Sequence, residues 1–333
     1  MAERDKRGGE MIGIGIDIGG TNTKIIALNK NGKVFKEYCF KTLPALGYPD
    51  FLKRISKIIN LWKKEISGDN FTIGVGIAGD INSAKGIIRF CPNLDNWTNI
   101  KFAADLKKKT KLKCFIENDA NMAAWGAHVL DLKKKYKNGI AVTLGTGVGG
   151  GLIVNGQLYN GSSGSAGELG HINIYPGGDR CHCQMRGCLE AYVGSYAIIR
   201  RAKKEIKNIP AFIKKFAGPA APAKIKKLDA ICLSNAASYG NAAALKIWRD
   251  TGKYLGLALS DIILLLNPEY IVIMGGVSKA SKYFLPAIKS VFTAQKIKSP
   301  FKKVKLIVSQ NPDLGCYGAA LYSLQKIGDR RKA

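Results

Sequence analysis

The sequence predicts an α/β protein of two domains. The chain has 333 residues, long for a single hydrophobic core, and 46% of them are hydrophobic. Apolar residues alternate at strand spacing and recur at helix spacing in turn along its length. One layout also occurs twice: a strand, a glycine turn, a second strand, an Asn-Gly turn and a third strand. It is seen in residues 13–34 and again in "GIAVTLGTGVGGGLIVNGQLY" (Gly139–Tyr159), which suggests two related halves.

In chain order, "MIGIGIDIGG" is a buried strand ending in glycines. "TKIIALN" and "KVFKEYCF" are strands joined at Asn31-Gly32, a pair suited to a tight hairpin. "FLKRISKIINLWKKEI" has apolar residues at helical spacing. "FTIGVGIAGDI" is a strand, "FAADLKKKT" a short helix, "KCFIEN" a strand and "DANMAAWGAHVLDLKKKY" a helix. After the second hairpin, which turns at Asn155-Gly156, "GPAAPAKIKK" (Gly218–Lys227) is a connector. "YLGLALSDIILLLN" is a buried helix, "YIVIMGG" and "VKLIVSQ" are strands, and "GCYGAALYSLQKI" is a closing helix.

Composition narrows the function classes. No apolar run approaches the roughly 20 residues that span a bilayer. The longest, Leu257–Leu266, is interrupted by Ser260 and Asp261. The opening "MAERDKRGGE" lacks the apolar centre of a signal peptide, so a cytoplasmic protein with no membrane partner is expected. Its eight cysteines should then be mostly thiols, and a dense group of them points to metal or catalysis. The net charge is +28, but the lysines lie in scattered pieces (Lys107–Lys109, Lys133–Lys135, Lys226–Lys227, Lys302–Lys303) with few aromatics between them. Specific nucleic-acid binding is therefore not expected. A basic surface that draws in an anionic substrate such as a nucleotide is.

Two glycine turns stand at strand ends, Asp17–Thr21 and Gly145–Gly151. Glycine lets backbone amides approach phosphate oxygens closely, although either turn could be a plain hairpin bend. The second contains G-x-G-x-x-G at Gly145, Gly147 and Gly150. A dinucleotide fingerprint must open a helix, and here the chain continues as a hairpin; no G-K-[ST] occurs. Asp17 is suited to hold Mg²⁺ through water. Asn118 and Asp119 stand where a strand hands over to a helix, and either could serve as its N-cap. A carboxylate there could also take a proton from an attacking hydroxyl.

Acids and amides that could recognise hydroxyls stand at Asn93, Asn118, Asp119, Glu168, His171 and Glu190. Each has a plainer reading: a turn after Pro92 for Asn93, a solvated loop acid for Glu168, a first-turn helix acid for Glu190. "CHCQMRGCLE" sets Cys181, Cys183 and Cys188 at C-x-C-x₄-C spacing. Two of the three histidines in the chain, His171 and His182, lie in or near it. Structural zinc commonly takes Cys₃His. His182 is poorly placed between two cysteines, whereas His171 could close the site across a loop.

These motifs, in this order, resemble the sugar kinases of the ROK family, within the actin/hexokinase superfamily of ATPases. "DIGGT" and "TLGTGVGGGLIVNG" resemble its phosphate loops. "PNLDNW", "IENDAN", "GELGH" and the cysteine group resemble further motifs. "MGGVS" resembles its adenosine loop and "PDLGCYGAAL" the start of its C-terminal helix, so the resemblance covers Ile12 to Leu324. It implies two actin-like (ribonuclease H-like) domains with a ligand cleft between them. These would be residues 1–118 and 119–311, the second carrying the zinc loop, with a C-terminal helix (about 312–333) packing back on the first.

It further implies ATP-dependent phosphorylation of a hexose, first of all glucose at the 6-hydroxyl. N-acetylmannosamine, N-acetylglucosamine, fructose or mannose are the alternatives, and polyphosphate is an alternative donor. Asp119 would be the base. Asn93, Asn118, Asp119, Glu168, His171 and Glu190 would hold the sugar. Asp17, Gly19, Gly20, Thr21, Lys24, Gly145, Thr146, Gly147, Gly149, Gly275 and Gly276 would hold ATP and its Mg²⁺. His171, Cys181, Cys183 and Cys188 would bind structural Zn²⁺, and the assembly would be a homodimer. The chain departs from the family at Gln184, where glycine is usual after the second cysteine, which leaves the loop shape in question. The family also contains sugar-responsive transcriptional regulators. Their helix-turn-helix precedes the first phosphate loop, and a first strand starting near Met11 leaves little room for one.

Overall fold

The structure, a computed structural model, describes residues 10–66, 70–94, 96–217 and 227–330. The polar opening up to residue 9 and the connector at 218–226 lie outside the described residues.

The first half of the chain runs β1 (Met11–Ile18), β2 (Asn22–Asn29), β3 (Val34–Lys41), α1 (Gly47–Glu65), β4 (Asn70–Ile77), β5 (Asp80–Asn82), β6 (Ile87–Phe90), β7 (Thr98–Ile100), α2 (Phe102–Thr110), β8 (Lys113–Asn118) and α3 (Asp119–Gly126). The second runs β9 (Gly139–Leu144), β10 (Val148–Val154), β11 (Gln157–Tyr159), α4 (Glu190–Val193), α5 (Ser195–Glu205), α6 (Ile209–Phe216), α7 (Ala230–Ser238), α8 (Ala242–Leu266), β12 (Tyr270–Met274), α9 (Ser281–Ala294), α10 (Lys298–Lys303), β13 (Lys305–Val308) and α11 (Leu314–Arg330).

The repeated layout becomes a repeated sheet. One sheet has the order β3-β2-β1-β4-β8 and the other β11-β10-β9-β12-β13, so both follow one scheme. In the first, β1 to β3 pair antiparallel, while β1, β4 and β8 are parallel neighbours. The register sets Asp17 beside Gly76 and Ile77 beside Asn118, so the carboxyl ends of three strands lie together. In the second, β9, β12 and β13 are parallel. A small antiparallel sheet, β5-β6-β7, completes the described strands.

Side-chain size decides which helix covers which face of the first sheet. Phe51, Leu52, Ile55, Ile59 and Trp62 recur at helical spacing on α1 and bury against Ile12, Ile14, Ile16, Ile73, Val75 and Ile77. Each such side chain contributes about 1.5–3 kcal/mol. The residues between these isoleucines include Gly13, Gly15 and Gly74, and α11 lies directly against them. A Cβ at Gly15 would fall 2.0 Å from the Cys316 carbonyl oxygen, and one at Gly74 1.8 Å from that of Ala319.

The chain divides into two compact units. The first extends to Lys137, takes in Gly151–Gly167 and ends with the segment from Asp313 onward; the second holds Asn138–Gly150 and Glu168–Pro312. The division expected at 118/119 therefore moves to 137/138, because α3 belongs with the first unit. Gly318 of α11 touches α3 at backbone distance: a Cβ there would lie 1.8 Å from the Met122 carbonyl oxygen. The first unit also takes the C-terminal helix, from Asp313 rather than about 312.

Three element readings change in detail. "FTIGVGIAGDI" is two strands, β4 and β5, because the chain turns at Gly79 (φ 149°). The helix beginning at Asp119 ends at Gly126, passes through a π-helical turn at Ala127–Asp131, and is followed by left-handed Lys133 and Lys134. The stretch read as a buried helix, in α8, buries Leu255, Leu259, Ile262 and Ile263. It leaves Leu257, Leu264, Leu265 and Leu266 exposed, Leu265 at 82%.

Candidate active site and cysteine–histidine centre

In the first unit the predicted residues collect at the carboxyl ends of β1, β4 and β8, where α/β sheets place ligands. Asp17 is the last but one residue of β1. The turn that follows is held by the Gly19 N–H donating to Asn22 O (3.1 Å) and by the Thr42 hydroxyl donating to Gly19 O (2.6 Å). Gly20 abuts Asn93: a Cβ on it would lie 3.1 Å from the Asn93 Cβ. Asn93 itself is exposed, as is Thr21.

Asn118 is the N-cap of α3. Its Oδ1 accepts from the Ala120 and Asn121 N–H groups (2.8 and 3.4 Å), and its Nδ2 donates to Gly79 O (3.2 Å). That leaves the adjacent Asp119, which accepts only one of these amides, Ala120 N–H at 2.9 Å. Burial raises the Asp119 carboxyl above its ordinary range, although the Ala120 amide pulls the other way. Burial first, then the charges of Asp119 and Asp313, push Asp17 up to about 7 against the opposing pull of Lys24. Asp17 thus feels the charges of two further carboxylates, Asp119 and Asp313, with Lys24 opposing them. This is an oxygen-rich donor set with excess negative charge, which fits a hard divalent cation.

Two residues that the sequence reading did not assign shape this end of the sheet. Asp313, just before α11, forms an ion pair with Lys24 at 2.7 Å. Burial alone would lower the Lys24 ammonium; the bond and charge of Asp313 outweigh it and raise it. Glu117 is fully buried in β8 and accepts from Ser83 Oγ (2.7 Å), Asn118 N–H (2.9 Å), Asn121 Nδ2 (3.2 Å) and Asn160 Nδ2 (2.5 Å). A charged residue inside an apolar strand was itself a signal, since such residues are almost never fully buried without partners.

In the second unit the second glycine turn leads from β9 into β10, a strand and not a helix, as its sequence context required. Gly145 N–H donates to Gly147 O (3.0 Å) and Gly149 N–H to Thr143 Oγ1 (3.1 Å). Glu190, at the start of α4, braces this turn: its Oε2 accepts from Val148 N–H at 3.0 Å, and Gly147 leaves it room. Gly275 (φ 96°) and Gly276 follow β12, whose last residue pairs with Thr143 of β9. The Thr146 and Gly275–Gly276 segments therefore share one end of this sheet.

The cysteine group gathers as its spacing suggested. One ligand atom each from His171, Cys181, Cys183 and Cys188 lies within 4.8 Å of all the others. His171 Nδ1 is 3.7 Å from Cys181 Sγ, and the Cys183 and Cys188 sulfurs are 3.6 Å apart. Tetrahedral zinc, with bonds of about 2.0–2.3 Å, sets its ligands about 3.5–3.8 Å apart; these two separations match it, and no other pair is farther apart than 4.8 Å. His182 stays outside, stacked on Tyr196 at 3.9 Å. The Cys181 thiol donates to Glu190 Oε1 (3.4 Å), and burial pushes that thiol up to about 12. Gln184 takes the left-handed conformation that glycine would ease (φ 74°) and is held by its N–H to Cys181 O (3.0 Å) and by Arg180 Nη2 donating to its Oε1 (2.5 Å). Glu168 is exposed, ahead of the short turn that carries His171.

The sequence pattern described as the ROK family matches residues 13–326. This chain belongs to the ROK family. It is similar to a glucokinase from Thermotoga maritima, 33% identical over 319 residues that span 95% of this chain and 98% of that one. It is also similar to an N-acetylglucosamine repressor from Shigella flexneri, 28% identical over 92% of this chain and 73% of the repressor. Among solved structures, a ROK family glucokinase from Streptomyces griseus in complex with glucose and AMPPNP superimposes with a TM-score of 0.78 at 28% identity, covering 94% of this chain and 99% of that one. The two-unit α/β architecture of this ROK chain is thus that of the family's kinases.

Proposed function

We propose that the chain is an ATP-dependent hexose kinase that phosphorylates glucose at the 6-hydroxyl. The observation that carries this reading is Asp119: a half-buried carboxylate with a raised pKa, near Asp17, at the start of α3 where β8 ends, next to the first glycine turn. Asp119 would accept the proton of the sugar hydroxyl as it attacks the terminal phosphoryl group of ATP. Asn118, bound to Gly79 and the α3 amides, holds Asp119 in place and would meet a neighbouring hydroxyl. Asn93, Glu168, His171 and Glu190 would complete sugar recognition.

Amides of Gly19, Gly20, Thr21, Gly145, Thr146, Gly147 and Gly149 would bind phosphate oxygens, and Gly275 and Gly276 the adenosine. Asp17 would hold Mg²⁺ through water, and that ion would neutralise charge on the phosphates. Lys24, paired with Asp313, would meet the nucleotide only by exchanging that partner.

His171, Cys181, Cys183 and Cys188 would hold a structural zinc. Bound to it, Cys181 would be a thiolate with no proton to donate, which frees Glu190 Oε1 for a sugar hydroxyl. No disulfide joins the eight cysteines, and a cytoplasmic location belongs to the proposed reading. No described helix is long and apolar enough to cross a membrane. A homodimer is the proposed assembly, and the exposed leucines of α8 are an apolar face a second copy could cover.

An ADP-release assay over glucose, mannose, fructose, N-acetylglucosamine and N-acetylmannosamine tests the reading, with ATP and polyphosphate compared as donors. The expected result is the highest kcat/KM with glucose and ATP. Turnover with none of the sugars overturns it. Site-specific DNA retention at physiological salt without turnover would instead favour the regulator class.

A further inference from the structure

The lysine run Lys107–Lys109 has no part in phosphoryl transfer as proposed. It lies in the last turn of α2, and its first residue, Lys107, lines a cavity of about 470 Å³ within the first unit. The cavity lies along β8, the outer strand of the first sheet, and is walled by the turn after β5, by α2 and by α11. Its volume suits a small molecule.

Its chemistry is one-sided. Lys85, Lys107, Lys113 and Lys326 line it, and no aspartate or glutamate does. Among the described residues none of these lysines takes part in an ion pair. Lys326 is steadied over the Tyr322 ring at 5.1 Å from its centroid. Glu117 sits behind the wall, where Ser83 and Asn160 of the lining donate to it. Four ammonium groups around one concavity repel one another, and a single phosphate would leave part of that charge unmatched. Asn160 Oδ1 is buried without a partner and would accept from a hydroxyl.

We infer that this cavity is a binding site for a small ligand carrying two or more phosphate groups. Lysine acts there as a point charge toward phosphate. A phosphate ester with free hydroxyls would also satisfy Asn160 Oδ1, whereas inorganic polyphosphate would not. Because Ser83 and Asn160 hold Glu117, and Glu117 holds the Asn118 amide, the site adjoins the support of the catalytic turn.

The test is calorimetric titration of the full chain with fructose 1,6-bisphosphate and, separately, with tripolyphosphate. A non-hydrolysable ATP analogue is kept saturating, so that the nucleotide site is filled. The readout is binding, which separates its failure from failure of the kinase reading. The expected result is one saturable site per chain. It should weaken about tenfold or more (roughly 1.4 kcal/mol) in the triple variant Lys107→Gln, Lys113→Gln, Lys326→Gln. The triple variant Lys298→Gln, Lys302→Gln, Lys303→Gln removes the same charge from α10 and should bind as the parent does. Tighter binding of the ester identifies a phosphorylated metabolite as the ligand, and tighter binding of tripolyphosphate an inorganic one. Equal loss in both triple variants, or uptake that never saturates, overturns the inference.

Discussion

The two sheets share one strand order, but the residues at their carboxyl ends differ in kind. The first ends in carboxylates, Asp17 and Asp119, with Asp313 and Lys24 beside them. The second ends in glycine turns braced by Glu190, which reaches back to a cysteine–histidine group. A duplicated scaffold has thus been given two tasks. In the proposed reaction one copy would supply groups whose protonation matters. The other supplies a backbone shape and a rigid support for it.

Four changes would break or sharpen this contrast. The largest effect is expected at Asp119. Asp119→Asn should lower kcat by about 10²–10⁴-fold while leaving the melting temperature near that of the parent. The parent's kcat/KM should fall as pH drops through the Asp119 pKa, because the base works deprotonated. Its raised value puts that acid limb above the ordinary carboxylate range. Near-parental turnover in Asp119→Asn would remove the first copy's distinction.

Next in size is Cys188→Ser. The parent should carry one zinc per chain by elemental analysis; the variant should lose it and be destabilised by about 4 kcal/mol or more. Cys39→Ser, at an exposed thiol, should do neither. Active parent enzyme free of zinc would show that the second copy's support does not depend on metal.

Glu117→Gln should come third, at about 1–3 kcal/mol in urea unfolding, because an amide group replaces an acceptor that faces four donors. kcat should fall with it, since the Asn118 amide loses its partner. An unchanged urea midpoint would mean the network is not what holds the turn. The smallest change is Gln184→Gly, expected to stabilise by about 1 kcal/mol or less. It relieves a left-handed glutamine but gives up the Arg180 contact and adds freedom to the unfolded chain. A fall in melting temperature would show that the Arg180 contact matters more.

Local chemistry was the legible part. Isoleucines alternating with glycines marked β1 and β4, the Asn-Gly pairs marked hairpins, and the cysteine spacing marked a group that does assemble around His171. What escaped depended on partners distant in sequence. Nothing near Asp119 announces that α3 rests on Gly318, so the unit boundary was set too early. Asp313 gains its meaning only when α11 returns to face Lys24. The leucines ending α8 are as apolar as buried ones, and composition alone could not tell that Leu264, Leu265 and Leu266 lie outside.

The glycine-faced side of β1 and β4 bears on how the chain is made. Its cover, α11, is synthesised last, after the whole second unit. Until then α1 covers one face of the nascent first sheet, while the strip of Gly13, Gly15 and Gly74 on the other lacks the helix that rests on it. The first unit to emerge from the ribosome is therefore the last that can be finished, and a chain stalled before Leu314 would leave it open to chaperones and proteases.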